Sequence, residues 1–144
     1  MLSVNAQEMV EFDEVADRLI AAVKDVSTLR TGITLERTGK FGALRPEVAT
    51  PLALILTELI QNAYEHGLAT TGSTLAIVVN RTGDQLRLEV SDDGIGLPED
   101  FDIQSSESLG LQIVKTLTTN ELGGKIEVHR VANGGTRIEV DIYC

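Results

Sequence analysis

Four short stretches carry residues whose types and spacing could do chemistry. In Leu52–Gly67 (LALILTELIQNAYEHG), Glu58, Asn62, Glu65 and His66 fall at i, i+4, i+7 and i+8. On a helix they stand in one stripe, beside an apolar stripe of Leu52, Ile55, Leu56, Leu59, Ile60 and Ala63. A helix that holds acidic and amide groups in a row next to its apolar seam presents them to something, although an ordinary amphipathic surface helix has the same pattern. In Ser91–Leu97 (SDDGIGL), Asp92 ends an alternating run and two glycines bracket Ile95. Glycine there permits positive φ and close backbone approach, and a carboxylate at a strand end can accept a hydrogen bond from a ligand amino group. Ser108-Leu109-Gly110-Leu111 opens a helical pattern, where free backbone N–H groups suit phosphate. Gly134-Gly135-Thr136 lies on the final hairpin. Taken singly, the second and fourth stretches are equally well ordinary turns. No Gly-Lys-Ser/Thr follows Gly110, which excludes a Walker loop, and Gly94-Ile95-Gly96 lacks the third glycine of a dinucleotide fingerprint.

The elements that must position these stretches follow from periodicity. Val10–Asp25 has apolar Phe12, Val15, Ala16, Leu19, Ile20 and Val23 at helical spacing, with acidic residues early and Lys24 late. Ile33–Thr38 alternates as a strand, and Gly39–Arg45 reads as a turn with a short extended piece. Thr50-Pro51 is the expected entry to the central helix and Gly67 its stop. Ser73–Arg81 and Gln85–Asp92 form a hairpin about Thr82-Gly83-Asp84. Gly110–Leu122 is the third helix, ended by Gly123-Gly124. Lys125–Val131 and Thr136–Tyr143 form a second hairpin. Three helices and about five strands, two pairs of them hairpins, predict an α+β two-layer sandwich: a mixed, mostly antiparallel sheet with the helices on one face.

Composition bounds the partners. The chain has 144 residues, 12 Lys and Arg against 22 Asp and Glu, and a formal charge of −10. That length suits a single domain. The scattered basic residues argue against nucleic acid and against an anionic membrane surface. If the ligand is itself anionic, a metal ion would help to bridge it to so acidic a protein. Cys144 is the only cysteine, so no internal disulfide or cysteine metal site exists. The apolar runs are too short to span a bilayer, and MLSVNAQEMVEFDE lacks the pattern of a signal peptide, so a cytoplasmic location is expected.

Jointly, E-x-x-x-N on a helix, D-x-G-x-G after a strand, L-G-L before a helix and G-T on a closing strand resemble the ATP-binding fold of gyrase-type ATPases, Hsp90, histidine kinases and MutL. The run Leu122–Val128 (LGGKIEV) and the short interval from Gly96 to Gly110 make the chain most similar to the catalytic domain of a sensor histidine kinase, of the short-lid soluble kind. The resemblance covers almost the whole chain, from Val10 to Tyr143. It implies ATP and Mg²⁺ as cofactors. By that resemblance, Asn62 helps hold Mg²⁺, and Glu58 orients or deprotonates the accepting imidazole. Asp92 accepts from the adenine amino group, and Thr136 supports Asp92 through a water. Gly94, Ile95 and Gly96 line the adenine pocket and His66 packs near the base. Leu109, Gly110 and Leu111 form the phosphate-facing loop and helix start. It also implies partners: a phosphoacceptor-histidine domain upstream in a longer protein, and a response regulator.

The departures from the pattern are specific. Glu65 stands where the family often has Lys or Arg, Asp93 where Asn is usual and Ser108 where Gly is usual. No Lys or Arg lies between Gly96 and Gly110. Modest ATP affinity and steep magnesium dependence are therefore expected. His66 and His129, the only histidines, are not placed like a phosphoacceptor, so that residue is expected on another domain. The alternatives are an anti-sigma-factor serine kinase, whose E-x-x-x-N-A and His-Gly pattern is similar, and a non-catalytic nucleotide-binding regulator.

Overall fold

The computed structural model describes residues 8–26, 32–67, 72–94, 109–131 and 134–144, with the backbone alone at 25, 26, 66 and 67. Its elements are β1 (Val10–Glu11), α1 (Phe12–Val26), β2 (Thr34–Thr38), β3 (Ala43–Leu44), α2 (Pro46–Asn62), β4 (Thr74–Thr82), β5 (Gln85–Asp92), α3 (Leu109–Thr116), β6 (Lys125–Arg130) and β7 (Thr136–Tyr143). Wider π-type turns extend α2 through Ala63–Gly67 and α3 through Leu117–Glu121. The main sheet has five strands in the order β2-β4-β5-β7-β6. β2 pairs parallel to β4 and every other neighbour is antiparallel. The expected mixed sheet and three helices are both present, an α+β architecture.

Alternation assigns the two faces of the sheet. Leu75, Ile77, Val79, Leu86, Leu88, Val90, Ile138, Val140 and Ile142 share one face and one core with Phe12, Leu52, Ile55, Leu56 and Leu59 from the helices. α2 is the centre of the helix layer and packs against both α1 and α3. That accounts for its wide apolar stripe: seven of its residues, Val48 to Ile60, are buried. The opposite sheet face carries the polar positions Arg87, Glu89, Glu127, His129, Arg137 and Glu139.

Two boundaries differ from the sequence reading. α2 starts at Pro46, with Arg45 as the flanking cap residue, and Pro51 lies inside the helix. Pro46 takes the first helical position, where its missing N–H costs nothing. Pro51 would have donated to the Glu47 carbonyl, and Glu47 is exposed, so water can serve that acceptor instead. Val10 and Glu11 leave the first helix to pair with Leu44 and Ala43.

That small ribbon is tied down by Asp13, whose carboxylate accepts from the Phe41 and Gly42 N–H groups at 2.9 Å each and from Arg37 Nη2 at 2.9 Å. Burial pushes the Asp13 carboxyl up, but the Phe41 and Gly42 N–H groups and Arg37 outweigh it and hold it below its ordinary value. A carboxylate lowered on folding contributes stability above its unfolded value, and this is lost as pH falls through the folded value. Asp13→Ala strands two backbone donors at once and is expected to cost about 2 kcal/mol in urea unfolding at neutral pH. The difference from wild type should shrink in acid.

Candidate functional site

The sheet and helix layer bring one group of the sequence-selected residues together at the end of β5. Asp92 pairs across the antiparallel ladder with Thr136, the first residue of β7. Both lie on the helix-facing side and are nearly closed to solvent, at 8% and 7% exposure. The Gly94 N–H donates to Asp92 Oδ1 at 2.9 Å, which turns the chain sharply after the strand. Burial raises the Asp92 carboxyl above its ordinary value; the neighbouring Asp93 charge adds to this, and hydrogen bonds from the Gly94 and Thr136 backbone oppose it. A carboxylate so withdrawn from water gains most from a ligand that brings a hydrogen-bond donor.

The hairpin before Thr136 makes this placement possible. A Cβ on Gly135 would stand 1.9 Å from the Asp92 carbonyl oxygen, and Gly135 has φ +93°. No other residue type fits either the space or the conformation. A Cβ on Gly134 would lie 3.5 Å from the Gly94 carbonyl oxygen, so the two glycine turns face each other. The Val131 and Gly134 N–H groups close the hairpin on Gly135 and Val131 carbonyls at 3.2 and 2.9 Å. Sequence reasoning took Thr136 as the functional residue of this turn and missed Gly135. The doubled glycine was the available signal.

Asp93 works on the strand beside it. Its Oδ1 accepts from the Ser73 and Thr74 N–H groups at 2.8 and 2.9 Å, and its own N–H reaches the Thr74 carbonyl at 3.3 Å. An aspartate can take both donors where an asparagine carbonyl also would, so the departure at Asp93 keeps the start of β4 pinned to the Asp92 turn.

Glu58 and Asn62 sit one turn apart on α2, Asn62 as its last α-helical residue, and both are half-buried. The π-type turn that follows packs against β5, the strand Asp92 terminates. Turns of this kind recur at functional sites. Within it Tyr64 is buried in the core while Glu65 is exposed. His66 falls in the same turn, but its side chain lies outside the described residues, as do Ile95 and Gly96 entirely. In the third stretch Leu109 projects into solvent at 74% exposure, Gly110 is half-buried and Leu111 belongs to the core. Leu111 anchors α3, so only its backbone is placed to meet a ligand. Glu58 and Asn62 supply hard oxygen donors from one helix face, a set that suits Mg²⁺, which takes few protein ligands and leaves the rest to phosphate and water.

Comparison with known proteins gives the family. Residues 47–143 match the family described as histidine kinase-, DNA gyrase B- and HSP90-like ATPase. The chain is 41% identical over 139 residues to the sensor histidine kinase PdtaS of Mycolicibacterium smegmatis, a match over 95% of this chain and 28% of that protein. It is 35% identical over 98 residues to blue-light-activated histidine kinase 2 of Erythrobacter litoralis, covering 67% of this chain and 28% of the relative. The histidine kinase domain of the Erythrobacter litoralis EL346 blue-light-activated kinase superposes with TM-score 0.82 at 27% identity, over 92% of this chain and 61% of that one. The chain thus spans little more than a quarter of the length of these two curated relatives. The chain belongs to the histidine kinase-, DNA gyrase B- and HSP90-like ATPase family, and the relatives and the solved domain named above are histidine kinases.

Proposed function

We propose that this domain binds ATP with Mg²⁺ between the C-terminal end of α2 and the end of the β5–β7 ladder that carries Asp92 and Thr136, and transfers the γ-phosphate to a histidine carried by another domain of a longer protein. The observation that supports this most is the Asp92 constellation: a buried carboxylate held by backbone N–H groups of Gly94 and Thr136, on a strand end whose main chain a side-chain-free Gly135 approaches closely. Asp92 accepts from the adenine amino group, and Gly94, Ile95 and Gly96 form the wall of the base pocket. His66 packs near the base, and Thr136 supports Asp92. Asn62 holds the magnesium ion. Mg²⁺, when bound, neutralises phosphate charge and orients the transferred group. Glu58, one turn before Asn62, orients or deprotonates the accepting imidazole. The backbone at Leu109–Leu111 faces the phosphates from the start of α3.

Domains that carry the phosphoacceptor histidine and the sensor would lie elsewhere in the full-length protein, and a response regulator would take the phosphoryl group onward. Among the described residues no helix is long and apolar enough to cross a membrane. We place the domain in the cytoplasm, where its nucleotide is.

Phosphate neutralisation rests heavily on the metal. Glu65 is exposed where a cation would help, and no Lys or Arg stands between Gly96 and Gly110. ATP affinity is accordingly expected to fall at least about tenfold in EDTA, and Asn62→Ala to lose most of the magnesium dependence. Labelled ATP supplied together with a separate phosphoacceptor domain should label that domain's histidine, with Glu58→Gln slowing transfer more than binding. Intact binding with no transfer would favour a nucleotide-binding regulator instead, the reading to which the missing cations point.

A further inference from the structure

On the sheet face away from Asp92 and Thr136, three side chains converge that the kinase chemistry does not use. Glu127 and His129 lie two residues apart on β6, and so point to the same side. Glu139 stands opposite Glu127 on β7, and Glu89 of β5 stands opposite Glu139. Three glutamates thus lie abreast across three strands, where like charges repel and a cation is favoured. Glu139 is nearly closed to solvent, at 7% exposure.

Two of the donor–donor distances match those of a coordination shell. His129 Nε2 is 3.4 Å from Glu127 Oε2 and 3.3 Å from Glu139 Oε2. Donors on a tetrahedral zinc ion stand about 3.4 Å apart, given metal–ligand bonds of about 2.1 Å. A charge-assisted N–H···O bond is shorter, about 2.7–2.9 Å. Nε2 is shielded from solvent and has no hydrogen-bond partner, although two carboxylate oxygens stand beside it. One donor atom from each of the three residues lies within 4.8 Å of the other two. The nearby cations offset part of this charge but pair with the other oxygen of each carboxylate, not with the Oε2 atoms beside Nε2. Arg137 Nε is 3.3 Å from Glu139 Oε1, and Lys125 Nζ is 3.9 Å from Glu127 Oε1. Arg87 is engaged by Asp141 at 2.7 Å.

We propose that Glu127, His129 and Glu139 form a binding site for a divalent transition-metal ion, with zinc the ion that one imidazole and two carboxylates suit best. The ion would bridge β6 to β7, with water completing its shell. It would stiffen the hairpin whose turn carries Gly134, Gly135 and Thr136, from the face opposite the nucleotide.

The test uses the chain stripped with EDTA and free of nucleotide. Titration with Zn²⁺ by calorimetry is expected to give one equivalent bound. Co²⁺ should produce visible absorption bands of a low-coordinate site that Zn²⁺ displaces. The unfolding midpoint should rise about 9 °C at zinc one hundred times its dissociation constant. His129→Asn and Glu139→Gln should abolish the cobalt bands. Glu127→Gln, at a more exposed position, should weaken binding at least tenfold with an unchanged circular dichroism spectrum. Asn62→Ala should leave zinc binding as it is. Absence of one-to-one binding at millimolar zinc, its survival in all three cluster variants, or its loss in Asn62→Ala would overturn the proposal.

Discussion

Asp92→Asn is expected to weaken ATP binding about 100-fold and, at the same time, to raise the thermal midpoint of the nucleotide-free domain at neutral pH. The first effect follows from chemistry at the base. The asparagine carbonyl can still accept the Gly94 N–H, but the other terminus becomes a donor facing the adenine amino group. Losing one charge-assisted hydrogen bond in a dry pocket costs about 2–3 kcal/mol, which is the stated factor. The second effect follows from the raised Asp92 carboxyl, which burial pushes up first and the Asp93 charge second. A carboxyl raised on folding costs stability at pH above its unfolded value, and the cost is relieved as pH falls through the folded value. A neutral amide removes that cost, so the gain over wild type should be present at neutral pH and fade in acid. Calorimetric titration with ATP and a pH series of thermal melts measure the two arms. A variant that binds ATP normally would remove Asp92 from the site.

Gly135→Ala is expected to be the most damaging single methyl group in the described site. The added carbon would fall 1.9 Å from the Asp92 carbonyl oxygen, far inside contact distance, at a backbone φ of +93° that alanine avoids. The nearest atoms are backbone, of Asp92 and Asp93, so no flexible side chain can give way. The β7 hairpin must then move off β5. A loss of about 3 kcal/mol in urea unfolding is expected, together with ATP binding too weak to measure at millimolar nucleotide. Gly83→Ala is the control. It also has positive φ, but a Cβ there meets nothing within 4 Å, so only the local conformational cost of about 1 kcal/mol remains and ATP binding should be retained.

The sheet was legible in the sequence wherever its signal is local. β5 and β7 occupy the expected Gln85–Asp92 and Thr136–Tyr143, because alternating apolar residues and glycine turns mark both ends. The helix layer was legible from the stripes on α1 and α2. What stayed hidden was non-local or degenerate. Thr50-Pro51 imitates a helix start, but Pro46 does the same job one turn earlier, and only packing of Val48 and Ala49 into the core distinguishes them. Val10 and Glu11 fit the helical period, yet pair with β3. The π-type turn at Ala63–Gly67 keeps nearly the spacing of a helix, so no residue pattern announces it. The parallel pairing of β2 with β4 depends on a crossover through α2. At the site, Asp92 and Thr136 were legible as motif residues. Gly135 was legible as a turn glycine of the same stretch but not in its role, because a turn glycine and a glycine that admits a neighbouring backbone look alike until the neighbour is in place.

The pocket at Asp92 should distinguish purines by one functional group. Adenine offers an amino donor where guanine offers a carbonyl oxygen, which a buried carboxylate repels. The most direct measurement is calorimetric titration of the domain with ATP and with GTP, each in saturating magnesium. ATP is expected to bind at least about 100-fold more tightly than GTP. Equal affinity for the two nucleotides would contradict the assignment of Asp92 as the adenine acceptor, and with it the placement of the nucleotide between α2 and the Asp92 end of the β5–β7 ladder.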